Sequence, residues 1–351
     1  IEDLIKTGFE VFCTAPNIEL EEETLKKMGT TPIKCVMGRT GLNPFTDIKT
    51  YFSLKKIIKE NKIDLVFPYT IKPVIYGSLA ANSLHVPVYS LITGLGYTFS
   101  GVSLKAKVLQ RVTGLLYKIA LRKNKVVILQ NIDDYNLFLS KGILSKEQEH
   151  AIVDGSGVNL SRYPFRERTK TRADINFIII GRLIKEKGVQ LFMDAATILK
   201  EKYPETSFHI VGRLPQEGPS GIKLSTLESL HSQGIINFHG PQKNVTPFLS
   251  AADVFVLPSY YREGVPRSIL EALSIGMPII TTNAPGCKET VTDNGFLVKQ
   301  QDLESLLEAM EHFILHPETV KNMGENSLKL AQEKFDVTKI NQELIALITK
   351  V

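Results

Sequence analysis

The stretch Val254-Phe255-Val256-Leu257-Pro258-Ser259-Tyr260-Tyr261-Arg262-Glu263-Gly264-Val265-Pro266-Arg267-Ser268-Ile269-Leu270-Glu271-Ala272-Leu273 runs on through Gly276 to Pro278-Ile279-Ile280-Thr281. Four apolar residues bounded by turn formers read as a buried strand. A polar and aromatic loop follows and becomes a helix. Pro266 suits the first helical turn, where its missing N–H costs nothing, and Gly276 with Pro278 ends the helix before the next apolar run. Strand, helix and strand in this order belong to an α/β protein with a parallel sheet.

The loop carries chemistry. The N–H groups of Gly264 and Val265, backed by the positive end of a helix dipole, form a ready anion site. Glu263 precedes the helix and Glu271 lies more than a turn inside it, roughly 10 Å further along the axis at about 1.5 Å per residue. That separation suits the sugar and ribose ends of an extended nucleotide-sugar. A plainer reading competes with it: Glu263 complements the helix dipole and Glu271 pairs with Arg267 at i,i+4.

Working outward, Asn176–Ile180, Phe208–Val211 and Ile235–Phe238 read as further strands of the same sheet, and Val189–Lys200 as a helix. Gly181-Arg182-Leu183-Ile184-Lys185-Glu186-Lys187-Gly188 follows the first of these strands. Arg182 at a strand end and Lys187 at a helix entrance bring two cations to a diphosphate, one bidentate and one a point charge. His239-Gly240 ends another strand on the same edge, where a base can stack or bond to backbone groups.

The first half repeats the alternation. Val11–Cys13, Ile33–Val36, Leu65–Phe67, Val86–Tyr89 and Val126–Leu129 read as strands. Leu20–Met28, Phe45–Asn61, Val74–Leu84 and Ser103–Arg122 read as helices. Ligands of such sheets bind at the strand carboxyl ends. This singles out Thr70 and Lys72, a mobile cation beside the helix begun by Pro73, and Thr93-Gly94-Leu95-Gly96-Tyr97. Between Asp64 and Asp133 no acid occurs, while Lys72, Lys105, Lys107, Arg111, Lys118, Arg122, Lys123 and Lys125 do. The basic amphipathic helix within residues 101–125 suits an anionic membrane surface or a lipid-diphosphate headgroup. No nucleic-acid motif accompanies it.

A chain of 351 residues is long for one core, which favours two domains. Cys13, Cys35 and Cys287 are few and scattered, matching neither a disulfide framework nor a zinc site. The seven histidines show no metal-ligand spacing, and no run approaches the ~20 apolar residues that span a bilayer. The opening Ile1-Glu2-Asp3-Leu4-Ile5-Lys6 reads as a helix tail, so a strand and loop are expected to precede it. Residues 162–172, charged and aperiodic, read as a linker.

These residues resemble the retaining GT-B glycosyltransferases of family 4. The resemblance rests on Gly181-Arg182-x4-Lys187-Gly188, on Glu263-x7-Glu271, and on Pro285-Gly286-Cys287-Lys288-Glu289. Thr70-Ile71-Lys72-Pro73, Thr93-Gly94-Leu95-Gly96-Tyr97 and Gly155-Ser156-Gly157-Val158 are similar to a bacterial subgroup that builds lipid-linked oligosaccharides. The resemblance implies two Rossmann-like domains with parallel sheets facing a central cleft. Residues 1–165 would be the acceptor domain and 166–336 the nucleotide-sugar domain, with 337–351 a helix returning to the first. It implies transfer from a nucleoside-diphosphate sugar, most simply a UDP-sugar, to a polyprenyl-diphosphate-linked saccharide, with retention and without a metal or cofactor. Glu263, Arg182 and Lys187 would be catalytic. Gly181, His239, Gly240, Gly264, Val265, Pro266 and Glu271 would complete the donor site, and Thr70, Lys72, Gly94, Leu95, Gly96 and Tyr97 the acceptor site. The enzyme would be cytoplasmic and peripheral on the inner membrane face. A UDP-sugar epimerase or phosphorylase, or a silent sugar-nucleotide- or lipid-binding subunit, are the alternatives.

Overall fold

The computed structural model describes residues 1–38, 43–100, 104–168, 174–215 and 221–349. By contact the chain falls into two compact units, Ile1–Val153 with the segment from Asn341 onward, and Asp154–Ile340.

In the first unit the helices are α1 (Glu2–Lys6), α2 (Glu22–Lys27), α3 (Pro44–Glu60), α4 (Ser78–Asn82), α5 (Gly96–Ser100), α6 (Leu104–Leu121) and α7 (Ile132–Ser140). Its strands are β1 (Phe12–Ala15), β2 (Thr31–Lys34), β3 (Tyr89–Ile92), β4 (Val126–Leu129) and β5 (His150–Ile152). β1 pairs with β2, and β3, β4 and β5 follow in order, all parallel. Asn43 caps α3, its side chain accepting from the N–H groups of Phe45 and Thr46, and Pro44 fills the first turn.

Four sequence expectations need correction here. Leu65–Phe67 is not a strand, and Val86–Val88 is not part of one. Val66 and Tyr69 make single parallel bridges to Val88 and Leu91, and the strand proper starts at Tyr89. Pro68 and Pro87 accept hydrogen bonds from Leu91 and Val66 but have no N–H to return, so no ladder runs through them. The helix expected over Leu20–Met28 is a 3₁₀ turn at Ile18–Leu20 followed by the short α2. The helix expected from Val74 opens as a π-helical turn over Pro73–Gly77 before α4. Ser103, the expected start of the basic helix, lies outside the described residues.

The second unit holds β6 (Asn176–Ile180), β7 (Ser207–Val211), β8 (Asn237–Phe238), β9 (Val254–Leu257), β10 (Ile279–Thr282) and β11 (Gly295–Val298). They form one parallel sheet in the order β11-β10-β9-β6-β7-β8. Its helices are α8 (Val189–Lys202), α9 (Leu224–Ser232), α10 (Thr246–Ala251), α11 (Arg267–Ile275), α12 (Leu303–Leu315) and α13 (Thr319–Lys334). The order reverses between β6 and β9, so their carboxyl ends border the crevice where doubly wound sheets bind ligands. α11 buries Ile269, Leu270, Leu273 and Ile275, each worth about 1.5–3 kcal/mol of transfer free energy.

The boundary expected at residue 165 moves back to 153. The segment that follows packs on the second unit, because Tyr163 is buried in that unit's core and Val158 pairs with Asp336. Arg168, within the expected linker, is buried. Its guanidinium donates to the carbonyls of Ala252, Arg166, Ile275, Gly276 and Leu249 at 2.7–3.1 Å. It thereby joins the carboxyl ends of α10 and α11. Residues 169–172 of that segment lie outside the described residues.

A last helix, α14 (Val337–Thr349), begins among residues of the second unit and ends among those of the first. Its Leu344, Leu347 and Ile348 join Tyr89, Leu91, Val126, Ile128 and Val153 in one apolar cluster.

Candidate active site

The crevice of the second unit is built from two turns locked together. After β6, Gly181 and Arg182 lead to a 3₁₀ turn, Lys185–Lys187, which Gly188 closes with φ +76° before α8. A Cβ at Gly188 would lie 2.2 Å from the Pro258 carbonyl oxygen, so only glycine lets this turn approach the end of β9. The N–H groups of Tyr260 and Tyr261 both donate to the Glu186 carbonyl, at 2.9 and 3.1 Å, and the Ser259 hydroxyl donates to it at 3.2 Å.

That contact brings Lys187 to Glu263. Lys187 is buried, and its Nζ lies 2.5 Å from Glu263 Oε1, to which the Ser259 hydroxyl also donates at 3.4 Å. The helix-dipole reading of Glu263 is therefore incomplete, because its direct partner is a cation 76 positions earlier in the chain. Arg182 is exposed, its guanidinium carbon 5.3 Å from the centre of the Tyr261 ring. From the other side, the backbone at Gly286 presses on the Glu263-Gly264 peptide. With φ +82°, a Cβ there would lie 1.6 Å from the Gly264 carbonyl oxygen. The neighbouring Cys287 is wholly buried, and its thiol is pushed up to about 12 by burial and then by the Glu263 charge.

Pro266 is the residue before the first turn of α11 rather than within it, with ψ 118°. Gly264 and Val265 are buried beside it. Glu271 sits one face further along, and its carboxyl accepts from the Tyr163 hydroxyl at 2.9 Å, with Arg267 at 3.8 Å. The pairing with Arg267 holds, but it is the longer of the two contacts. Burial raises the Glu271 carboxyl above the ordinary carboxylate value, against the Tyr163 bond and the Arg267 charge. Burial and the Glu271 charge raise the Tyr163 phenol in turn. Sequence reasoning missed Tyr163, which stands 108 positions from its partner.

His239 and Gly240 lie at the end of β8. The His239 ring is turned to His209, Nε2 to Nδ1 at 3.0 Å, and its face meets Phe248 at 4.9 Å between centres. The Gly240 carbonyl accepts from Gly212 at 2.9 Å. An N···N contact of that length requires one of the two facing nitrogens to lack a proton. Burial and then the His239 charge lower His209 from 6.5 to about 4. The unfolded chain binds this proton below pH 6.5 and the folded one does not, so stability is complete above pH 6.5 and is lost as the pH falls toward 4. The melting temperature should fall by roughly 5 °C over that interval. A His209→Gln variant should show a flatter profile; an unchanged slope would remove this pair as the cause.

The first unit places its residues separately. Lys72 is not a mobile cation: its Nζ is 2.9 Å from Oδ1 of the buried Asp47, on the inner face of α3. Tyr76, on the same π turn, has its hydroxyl raised by burial and by its hydrogen bond to Asp47. Thr70 is exposed and holds φ +68°, a strained conformation for a β-branched residue. Gly94 and Gly96 have φ +105° and +57°, and Gly96 opens α5. Leu95 between them is fully buried, and its side chain packs in the core. Tyr97 is the second residue of α5, and its side chain lies outside what the structure describes.

Among the described residues no group of three or more histidine, cysteine or acidic side chains is placed to hold a metal ion, and no helix is long and apolar enough to cross a membrane. The model of the family described as Glycosyl transferases group 1 matches residues 164–330, and that of Glycosyl transferase 4-like matches residues 1–131. The chain is 28% identical over 356 residues to an N,N'-diacetylbacillosaminyl-diphospho-undecaprenol alpha-1,3-N-acetylgalactosaminyltransferase of Campylobacter jejuni, covering 97% of this chain and 91% of that one. It is also 28% identical over 306 residues to a UDP-Gal:alpha-D-GlcNAc-diphosphoundecaprenol alpha-1,3-galactosyltransferase of Escherichia coli, covering 84% and 77%. The fold matches a sucrose-phosphate synthase from Thermosynechococcus elongatus with a TM-score of 0.80 at 21% identity, over 99% of this chain and 90% of that one. Two family models that between them take in most of the chain, and relatives aligned along nearly all of it, agree with the parallel-sheet GT-B architecture: the chain belongs to the group 1 glycosyltransferases.

Proposed function

We propose that this glycosyltransferase moves a sugar from a UDP-sugar to a saccharide carried on a polyprenyl diphosphate, with retention at the anomeric carbon and without a metal. The observation that carries the reading is the buried Lys187 beside the half-buried Glu263 at the amino end of α11, with Arg182 at the adjoining strand end. The relatives named above supply the acceptor class and, in one case, the UDP donor.

In this reading the bond between the anomeric carbon and the β-phosphate oxygen breaks while the acceptor hydroxyl attacks from the same face. The hydroxyl proton passes to the departing phosphate oxygen. Arg182, Lys187 and the helix end meet the negative charge that develops there, a preorganised electrostatic contribution of the kind that often dominates catalysis. Glu263 holds hydroxyls of the transferred sugar, and Glu271, positioned by Tyr163, holds the ribose. Lys72, held by Asp47, faces the acceptor diphosphate. The outward stripe of α6, with Val108, Val112, Leu115 and Ile119 exposed beside Lys107, Arg111, Lys118 and Arg122, lies against an anionic membrane.

Replacing Arg182 by alanine should reduce kcat/KM about 100-fold, as expected when one charge-stabilising donor is removed. Thermal stability should not change, since the side chain is exposed. Activity should survive EDTA. UDP-sugars, compared with GDP- and ADP-sugars, should give the largest rise in melting temperature. Full turnover in Arg182→Ala, or no shift with any nucleotide-sugar, would end the assignment.

A further inference from the structure

Helix α3 is apolar on two opposite sides. Inward it buries Leu54 and Ile58 together with Asp47 and Thr50. At 100° per residue, Phe45, Ile48 and Phe52 fall on the opposite side. They are 81%, 56% and 60% exposed. Val36 is also exposed, on the flank of the helix, where its N–H donates to Ser53 at 3.2 Å. Lys49, Lys56 and Lys59 share the outward side, and Lys55 flanks it. Against these four cations stands Glu60, 3.8 Å from Lys56. Large apolar side chains grouped outward with lysines whose stems can lie along them form the pattern of a helix resting in a headgroup layer.

We propose that this face of α3 inserts into the surface of an anionic bilayer, as an anchor additional to α6. The inference rests on the lipid-linked acceptor of the proposed function. Charge decides the occupant. In a two-fold contact between copies of this chain the same patch would meet itself, setting lysines against lysines. Anionic headgroups complement them instead. The same helix holds Asp47 on its inner face, 2.9 Å from Lys72. A helix is about 10 Å across, so an inserted α3 carries Lys72 at the depth of a lipid-borne diphosphate. α6 packs against the same Pro73–Gly77 turn, so both helices border the segment that follows Lys72.

The test compares the full protein with a Phe45→Ser/Ile48→Ser/Phe52→Ser variant. The three positions are exposed, so the variant should melt with the parent. Co-sedimentation with vesicles of phosphatidylglycerol and phosphatidylcholine should weaken at least tenfold. Transfer to a short-chain, water-soluble prenyl-diphosphate saccharide should be unchanged. A Lys49→Gln/Lys55→Gln/Lys56→Gln/Lys59→Gln variant should lose the preference for phosphatidylglycerol over pure phosphatidylcholine vesicles. Parent-like vesicle binding by the serine variant, no vesicle binding by the parent, or loss of binding only through a dimer becoming a monomer would each overturn the proposal. If the parent binds vesicles through this face but never glycosylates the soluble acceptor, the acceptor assignment fails and the membrane face stands.

Discussion

Replacing Lys187 by alanine should lower kcat/KM about 1000-fold, the upper range for removing one charge-stabilising donor. The loss should exceed that of Arg182→Ala because Lys187 has two connections. Its Nζ is 2.5 Å from Glu263 Oε1, and both side chains are almost wholly shielded from water. Removing the lysine takes a cation from the departing phosphate and also leaves the Glu263 carboxylate without its cation in a desolvated place, which is strongly unfavourable. Lys187→Met/Glu263→Gln should therefore be far less impaired than the product of the single effects, with a coupling of about 1–3 kcal/mol. The four kcat/KM values of the cycle measure it. Strict additivity would mean that the two side chains act independently, contrary to their contact.

Replacing Arg168 by methionine should destabilise the second unit by about 3–5 kcal/mol, the range for breaking a buried charged network. The side chain donates to carbonyls at the ends of α10 and α11. Those carbonyls belong to helix termini, which lack intrahelical partners for their last oxygens. Methionine fills the volume but leaves them unanswered. Lysine should rescue little, because a point ammonium cannot match a planar fork reaching several acceptors. Burial lowers Arg168 only to about 10, so it remains cationic at neutral pH. A urea midpoint unchanged in Arg168→Met would show that water replaces the guanidinium at no cost.

The second unit was the more legible in sequence because its strands are buried on both faces. Phe177–Ile180 and Val254–Leu257 appear as uninterrupted apolar runs, and the structure has strands at Asn176–Ile180 and Val254–Leu257. In the first unit, prolines at 68 and 87 interrupt runs that look equally apolar, and the hydrogen-bond ladder forms only beyond them. The candidate site divides in the same way. Positions set by a strand end, such as Arg182 after β6, follow from local pattern, and the helix start is found to within one residue, Pro266 capping α11 rather than opening it. Partners across the fold do not: Asp47 for Lys72, Lys187 for Glu263 and Tyr163 for Glu271 are joined by tertiary packing, which no local period encodes. The burial of Leu95 is likewise tertiary: nothing local between Gly94 and Gly96 shows that its side chain joins the core.

The final helix bears on the order of events during synthesis. Tyr89, Leu91 and Val126 form one cluster with Leu344, Leu347 and Ile348, more than 200 positions later in the chain. Contacts so distant in sequence are slow to form, and domains generally fold as units while the chain is being made. The residues up to Val153 emerge first but cannot close this part of their core until α14 has been made. The nascent first unit therefore waits through the whole synthesis of the second with an apolar patch uncovered. A chain released at residue 153 should bind hydrophobic dyes and chaperones, and added segment 337–349 should relieve both.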